Sequence, residues 1–494
     1  MKKRKGILKR GAASAILVVM TAAMLLSGCN GGGNKKIKLD PGNPVTITVW
    51  HYYNGPILNA FDMLIRDFNE TVGADMGIIV EGSVLGNVSE LESAVLSSAN
   101  KEVGSREMPN IFASYADTAY EAEKMDLLAN LDDYFTEDEL KEYIDSYIEE
   151  GKIGLEGERR IFPIAKSTET LMINETDWLP FAQDTGFTYD DLATMEGVTK
   201  VAEAYYNWTD AKTPGIPNDG KSFFGRDSTA NLFIIGSKEF GTEIFKVSNG
   251  VAEIVVNEEA MRKIWDNHYV PFIKGYFSAY GRYRSDDAKV GDIIAYVGST
   301  SSAAYLPSEV TSGGSVYPVT AKVLPAPYFD GAQQVIVQQG AGMVITKSTP
   351  QEEYASAVFL KWFTETKNNI DFAALSGYMP VKKEANSYDK FLATLTESGQ
   401  VLDVITEETL KVAFGEMAES EMYTNKAFTG GAKARSVLDA SLPSRAIADR
   451  EAILQMLESG STWEEAVAQF DTEENFQAWL ADFSAQLYAA AEQE

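Results

Sequence analysis

The sequence predicts an α/β protein divided into two or more lobes. Short alternating apolar runs and amphipathic helical periods follow one another from Val45 onward. The 494 residues carry 45% hydrophobic content. That is more core than one domain uses, because single cores stop growing at about 250–300 residues. No internal repeat or long low-complexity tract interrupts the pattern.

The N-terminus stands apart from that pattern. MKKRKGILKR carries Lys2, Lys3, Arg4, Lys5, Lys9 and Arg10, and an uncharged run follows as far as Gly28. A basic segment before a short apolar run reads as an export signal over residues 1–28. Leu26-Ser27-Gly28-Cys29 resembles a bacterial lipobox, in which cleavage leaves the cysteine to carry lipid, palmitate included. The other reading is a simple signal anchor. Cys29 is the only cysteine, so no intrachain disulfide can form. Residues 29–44, rich in Gly, Asn, Lys and Pro, read as a flexible tether.

The first strand is VTITVWHYYNG, where Val45, Ile47 and Val49 alternate with Thr46 and Thr48. The alternation then gives way to Trp50, His51, Tyr52, Tyr53 and Asn54, expected in a loop at the strand's end. Ile57 to Asn69 places Ile57, Phe61, Leu64, Ile65 and Phe68 on one helical face. Ile78-Ile79-Val80 reads as a strand, Ser89 to Ala99 as a helix, and Pro109 to Ser114 as a third strand before a helix from Thr118. This order argues a mostly parallel sheet, whose ligands gather beyond the carboxyl ends of its strands. Trp50 to Asn54 and Tyr115 to Asp117 both lie at such ends. Farther on, strand-like runs flank Lys166 to Glu169, and Gly291 to Gly298 precedes the polar run Ser299 to Ser302. Val335 to Thr346 reads as two strands broken at Gly340-Ala341-Gly342, and Glu353 to Phe363 as an amphipathic helix. The remainder is helical and acidic.

Net charge is −29, which disfavours nucleic acid and anionic lipid surfaces. With only His51 and His268, histidine triads and multi-histidine metal sites are nearly excluded, and no metal or cofactor is expected. No GxSxG, P-loop or CxxC pattern occurs.

In order, the lipobox, VTITVWHYYNG, PNIFASYAD, IFPIAKSTETLMIN, GDIIAYVGSTSS, VLPAP, QQGAGMVITKS and SGYMPV carry a resemblance. The chain resembles the extracellular solute-binding proteins of bacterial ABC importers. It is most similar to the group that includes maltose-, oligosaccharide- and glycerol-phosphate-binding proteins. That resemblance implies the two-lobed periplasmic-binding-protein fold of type II, with a ligand cleft between lobes joined by hinge crossings. Lobe 1 would be 45–165 plus 326–376 and lobe 2 would be 168–323 plus 378–494. The crossings would fall near Pro163 to Thr168, Val323 to Pro327 and Ser376 to Pro380, where small residues and prolines suit backbone rotation.

A sugar offers apolar C–H faces and a rim of hydroxyls, so its pocket needs aromatic platforms beside groups that both donate and accept. On this resemblance Trp50, Tyr52 and Tyr53 would supply platforms, with His51 as a polar partner. Asp117, preceded by Tyr115, lies where maltose-binding relatives carry an acidic contact. Ser167, Thr168 and Glu169 would reach the ligand from the first crossing and Ser299 and Ser301 from the second lobe. Gly340 would let backbone approach closely, and Tyr378 would close one side. Each has a structural alternative. One or more of the aromatics would pack beneath the loop, Asp117 would cap the helix from Thr118, and Ser167 and Thr168 would satisfy a hinge. Glu169 would be a solvated strand-end charge, Ser299 an N-cap and Gly340 a bulge, and Arg435, which would reach the ligand from the tail helices, would alternatively form a salt bridge to the acidic tail.

One departure narrows the solute. Glycerol-phosphate-binding relatives place a carboxylate directly after the third-strand tyrosine, where this chain has Ala116. They also carry a second-strand tyrosine that is not evident near Asn87 to Ser89. The expectation is therefore a monomeric, lipid-anchored receptor outside the cytoplasm that delivers a mono- or oligosaccharide to an ABC permease, without enzyme activity. The rivals are a lipid-anchored glycoside hydrolase using Asp117 and Glu169, which would need carboxylates about 5–9.5 Å apart, and a non-transport sugar sensor.

Overall fold

The structure, a computed structural model, describes residues 37–492. The export signal, Cys29 and the start of the tether lie outside the described residues. From Leu39 the chain is already in contact with the first lobe: Leu39 packs against its core, and a side chain at Gly77 would collide with the Asp40 carbonyl.

Two sheets organise two lobes. In the first, Val45–His51 lies between Ile78–Val84 and Ile111–Ser114, parallel to both. Gly342–Ile345 then adds antiparallel to Ile111–Ser114 and carries Ile161–Phe162 at the edge. In the second sheet Glu169–Asn174 pairs antiparallel with both Ala321–Pro325 and Ala295–Ser299, and Phe224–Arg226 joins the latter in parallel. The parallel expectation therefore holds for the first three strands, and in the second sheet for the pairing of Phe224–Arg226 with Ala295–Ser299. Strands that enter a sheet after a crossing arrive from the other lobe and run the opposite way, so both sheets are mixed.

The helices form as their sequences dictate. Gly55–Glu70 buries Ile57, Phe61, Leu64, Ile65 and Phe68, the stripe read from the sequence. Val88–Ala99 starts with a capping box, Asn87 accepting from Glu90 N while the Glu90 carboxylate accepts from the Asn87 amide. Pro350–Phe363 and Thr366–Ser376 complete the first core, in which Phe359, Phe363 and Phe372 surround Phe61. The second core collects Leu171, Trp178, Phe223 and Trp265 with Trp479 and Phe483 from the tail helices.

Val335 to Thr346 divides between lobes. Val335–Val337 pairs with Glu421–Tyr423 and packs into the second core, whereas Gly342–Ile345 belongs to the first sheet. Gly342 has no room for a side chain, since a Cβ would stand 2.2 Å from Ile161 Cγ2. The crossing segments are zipped by backbone: Lys166 exchanges hydrogen bonds with Met379, and Ser167 with Gln339. Among the described residues no helix is long and apolar enough to cross a membrane.

Candidate ligand-binding cleft

The first strand runs on through His51, two residues beyond its simple alternation, and this corrects the placement of its aromatics. Trp50 is 5% exposed and Tyr53 3%, both in the first core, and His51 is fully buried. The His51 ring meets the Phe61 ring edge-on at 4.8 Å, and its Nδ1 accepts from the Tyr53 amide. Burial lowers the His51 pKa to about 4, so the ring stays neutral as a core element. Tyr53 packs on Phe61 and Phe372. Only Tyr52 keeps a half-open surface.

Tyr52 begins a polar row between the lobes. Tyr115 interacts with Tyr52, Tyr52 with Tyr378, and Tyr378 with Ser301 of the second lobe, each through hydroxyl groups. Burial raises all three phenols, which remain protonated and serve as both donors and acceptors. Tyr378 stacks on Phe372 with an interplanar angle of 14°. Ser299 caps the turn Thr300–Tyr305 by accepting from Ser301 N, and its hydroxyl lies 3.0 Å from that of Ser301. At the rim, the Tyr305 hydroxyl reaches the Asn54 carbonyl at 3.1 Å, across the lobes.

Asp117 sits one turn from this row. Its helix spans Ala116–Lys124 with Tyr115 at the N-cap position, so Asp117 lies in the first turn and is not the cap. The Phe428 amide supports its carboxylate, yet Oδ1 is buried with no hydrogen-bond partner among the described residues. Burial raises its pKa to about 6 against the opposing pull of Arg435. Arg435 comes from the tail helix Gly431–Glu458 and donates from Nη2 to Asn231 Oδ1 at 2.8 Å. The expected salt bridge of Arg435 to the acidic tail is not formed among the described residues. Its charge instead bears on Asp117 and Glu92 of the first lobe. Gly431 makes this approach possible, because a Cβ there would stand 2.2 Å from Asp117 Oδ1.

The first crossing is buried rather than open to a ligand. Ser167 and Thr168 lie inside the hinge, with the Ser167 backbone bonded to Gln339. Glu169 is no solvated charge: its oxygens accept from Arg226 Nη2 at 2.6 Å and from Asn231 Nδ2 at 2.7 Å. The same Asn231 Nδ2 lies 3.0 Å from Gln339 Oε1. Gly340 has φ +100°, and its carbonyl accepts from Lys166 Nζ at 2.9 Å. A Cβ there would press on the Ala165 carbonyl at 3.0 Å, so this glycine serves crossing-to-crossing packing.

Nothing in the sequence singles out Asn231, Gln339 or Tyr305. Asn231 follows Ser228, which caps the helix Thr229–Glu239, and a polar residue in a helix's first turn carries no distinguishing spacing. A crevice of about 820 Å³, to which no residue of the row contributes, is walled by Tyr120, Glu150, Asn249, Gln338, Tyr423 and Asn425. It draws on both lobes and the crossings. Among the described residues no cluster of three or more His, Cys, Asp or Glu could hold a metal.

A family model for bacterial extracellular solute-binding proteins matches residues 64–397. The chain belongs to that family. No curated protein matches this solute-binding protein in sequence. Its fold is similar to that of the cyclic α-maltosyl-1,6-maltose-binding protein of Arthrobacter globiformis, with TM-score 0.63, 17% identity, and coverage of 91% of this chain and 100% of that one. UgpB of Mycobacterium tuberculosis, solved with glycerophosphocholine, gives TM-score 0.62 and 18% identity over 90% of this chain and 100% of that one. The Listeria monocytogenes substrate-binding protein Lmo0181, solved with cycloalternan, gives 0.62 and 14% over 90% and 100%. The two-lobed architecture of this solute-binding protein is thus the one those binding proteins share.

Proposed function

We propose that this solute-binding protein captures a mono- or oligosaccharide between its lobes and presents it, closed, to the permease of an ABC importer. The observation that carries the reading is the convergence of Tyr52, Tyr115 and Tyr378 with Ser301, Asn231 and Arg435 across the two sheets. Phenol rings suit C–H faces, and the hydroxyl, amide and guanidinium groups suit a hydroxyl rim. Asp117 Oδ1, buried without a partner, suits a sugar hydroxyl as donor. A ligand touching both lobes favours closure by its differential affinity for the closed form.

The reading is of binding without chemistry. Glu169, the partner Asp117 would need in a hydrolase, already spends both oxygens on Arg226 and Asn231. Anchoring through a lipid on Cys29, a location outside the cytoplasm at the cell membrane, and action as a monomer complete the proposal. The lobes would rotate about residues 163–168, 338–341 and 376–380; the second crossing lies at 338–341 and not at 323–327, because Ala321–Pro325 is a strand of the second sheet and Val335–Val337 packs into the second core. The test is a thermal-shift screen against sugars, polyols and sugar phosphates, followed by solution scattering with the best hit. A neutral sugar should raise the melting temperature and compact the particle. An unchanged scattering profile at saturation, or a response confined to sugar phosphates, would overturn it.

A further inference from the structure

The chain leaves the second sheet at its cleft-facing end through a loop that lies outside the tyrosine row. Phe224–Arg226 is the edge strand and runs parallel to Ala295–Ser299, whose last residue, Ser299, stands in the cleft. Phe277 bridges in parallel to Phe224, and the Ser278 amide donates to the Phe224 carbonyl at 3.0 Å. Residues 279–283 therefore emerge on the side where Ser299 lies. They read Ala-Tyr-Gly-Arg-Tyr, with Tyr280 73% exposed and Tyr283 49%.

This loop is held from beneath. Asp287 Oδ1 accepts from the Gly281 amide at 2.6 Å, and its Oδ2 from the Tyr280 amide at 3.2 Å. Arg284 pairs with Asp287, and its guanidinium also donates to the Gly281 carbonyl. Both Arg284 and Asp287 are buried, and the Arg284 amide donates to Asp227 Oδ1 at 2.8 Å. A buried ion pair thus fixes the backbone that carries two largely uncovered phenol rings. Little ordering of that backbone is left for a ligand to impose.

The loop adjoins the cleft mouth. Tyr305, whose hydroxyl reaches the Asn54 carbonyl at 3.1 Å across the lobes, has its phenol pKa raised by burial and then by Tyr283 beside it. The Arg282 guanidinium lies 5.3 Å from the centre of the Tyr283 ring and adds hydrogen-bond donors next to an aromatic face. Scattered exposed apolar residues need no explanation. Two rings on a clamped loop at a cleft mouth, flanked by a donor, form a platform that matches a sugar ring, apolar on its faces and hydroxylated at its rim.

We propose that Tyr280 and Tyr283 form an outer subsite for a sugar ring that projects from the cleft past Tyr305, so that the solute is an oligosaccharide of several rings and not a monosaccharide. The inference rests on the sugar reading of the cleft and extends it to the length of the ligand. The loop contributes affinity only once the sugar chain is long enough to reach it.

The experiment titrates the full chain calorimetrically with malto-, cello-, xylo- and manno-oligosaccharides, each series running from monosaccharide to hexasaccharide. In the series that binds, affinity should step up about fivefold at the length that reaches the loop. The double variant Tyr280→Ala with Tyr283→Ala should abolish that step, whereas Tyr283→Phe, which keeps the ring, should retain it. Both tyrosines are exposed, so thermal unfolding of the double variant should match wild type. Leu179→Ala serves as control. Leu179 is exposed on the helix Glu175–Thr185, which follows the end of Glu169–Asn174 remote from Ser299, and its loss should leave the whole series unchanged. Affinity independent of ring number, or a step that persists in the double variant, would overturn the outer subsite and leave the cleft reading standing. No saturable binding of any member would overturn both.

Discussion

Arg435 Nη2 donates to Asn231 Oδ1 at 2.8 Å, and the same guanidinium bears on Asp117 of the opposite lobe without forming an ion pair. Asn231 in turn holds Glu169, which holds Arg226. A continuous polar path thus runs from the buried hinge to the cleft, and its last member is a charged group that bears on both lobes. Arg435→Ala should lower solute affinity by about 2 kcal/mol, roughly thirtyfold, with little loss of stability because the residue is half-buried. Calorimetric titration with the solute found by screening, beside chemical denaturation of the same variant, checks both halves.

The carboxylate opposite that guanidinium gives a pH prediction. Asp117 has a pKa of about 6 in the folded protein against 3.8 for the isolated side chain, so the native state binds more protons than the unfolded state between those values. Stability from this group is fully present below the lower value and is lost as pH rises through about 6. Asp117→Asn should flatten that decline and be more stable than wild type at pH 7 by about 1–2 kcal/mol, allowing for screening at a half-buried site. Urea unfolding from pH 4 to 7 on both proteins reads the difference. Identical slopes would mean the carboxylate is paired differently from what its surroundings indicate.

Much of this organisation was legible in the chain, for identifiable reasons. The stripe Ile57, Phe61, Leu64, Ile65, Phe68 and the alternation at Val45 to Val49 are local periods, and local periods survive folding. Trp50, His51 and Tyr53 misled because their chemistry matches a sugar platform, whereas Phe61 and Phe372 provide a place to bury it. Strand direction in the second sheet and the division of Val335 to Thr346 between lobes depend on long-range pairing, which no local pattern encodes. Asn231 and Gln339 carry no local signal for the same reason. Each is an ordinary polar residue until the crossings bring it to Glu169.

Removing hydroxyls from the tyrosine row should separate binding from folding. Tyr378→Phe keeps the stacking on Phe372 and loses the contacts with Tyr52 and Ser301. Solute affinity should fall about tenfold while stability changes by less than about 1 kcal/mol. Tyr378→Ala removes the ring as well and should cost about 3 kcal/mol of stability. Comparing thermal unfolding with titration for the two variants distinguishes a ligand contact from a packing element.

The buried ion pair of the hinge should be far less tolerant. Glu169→Gln keeps the shape but leaves Arg226 buried with no counter-charge at 2.6 Å, and Arg226 Nε and Nη1 already have no hydrogen-bond partners among the described residues. Removing one member of such a pair costs about 3–5 kcal/mol. Chemical denaturation should show that loss with or without solute, because the pair lies within the fold and not at the ligand.

Gly431 and Asp117 offer the sharpest test of how the lobes meet. A methyl group on Gly431 would stand 2.2 Å from Asp117 Oδ1, so Gly431→Ala forces the tail helix and the first lobe apart in the closed form. Overpacking of this kind costs about 1–3 kcal/mol, and it falls on closure rather than on either lobe's core. Gly431→Ala should therefore weaken solute binding and enlarge the scattering radius of the liganded protein, with unfolding of each lobe little changed. Asp117→Ala removes the colliding oxygen, so the double variant should recover the compact liganded form even though it lacks the carboxylate. Affinity in the double variant should match Asp117→Ala alone, which makes the two positions strongly coupled in a double-mutant cycle. Additive losses would show that the helix does not close onto Asp117.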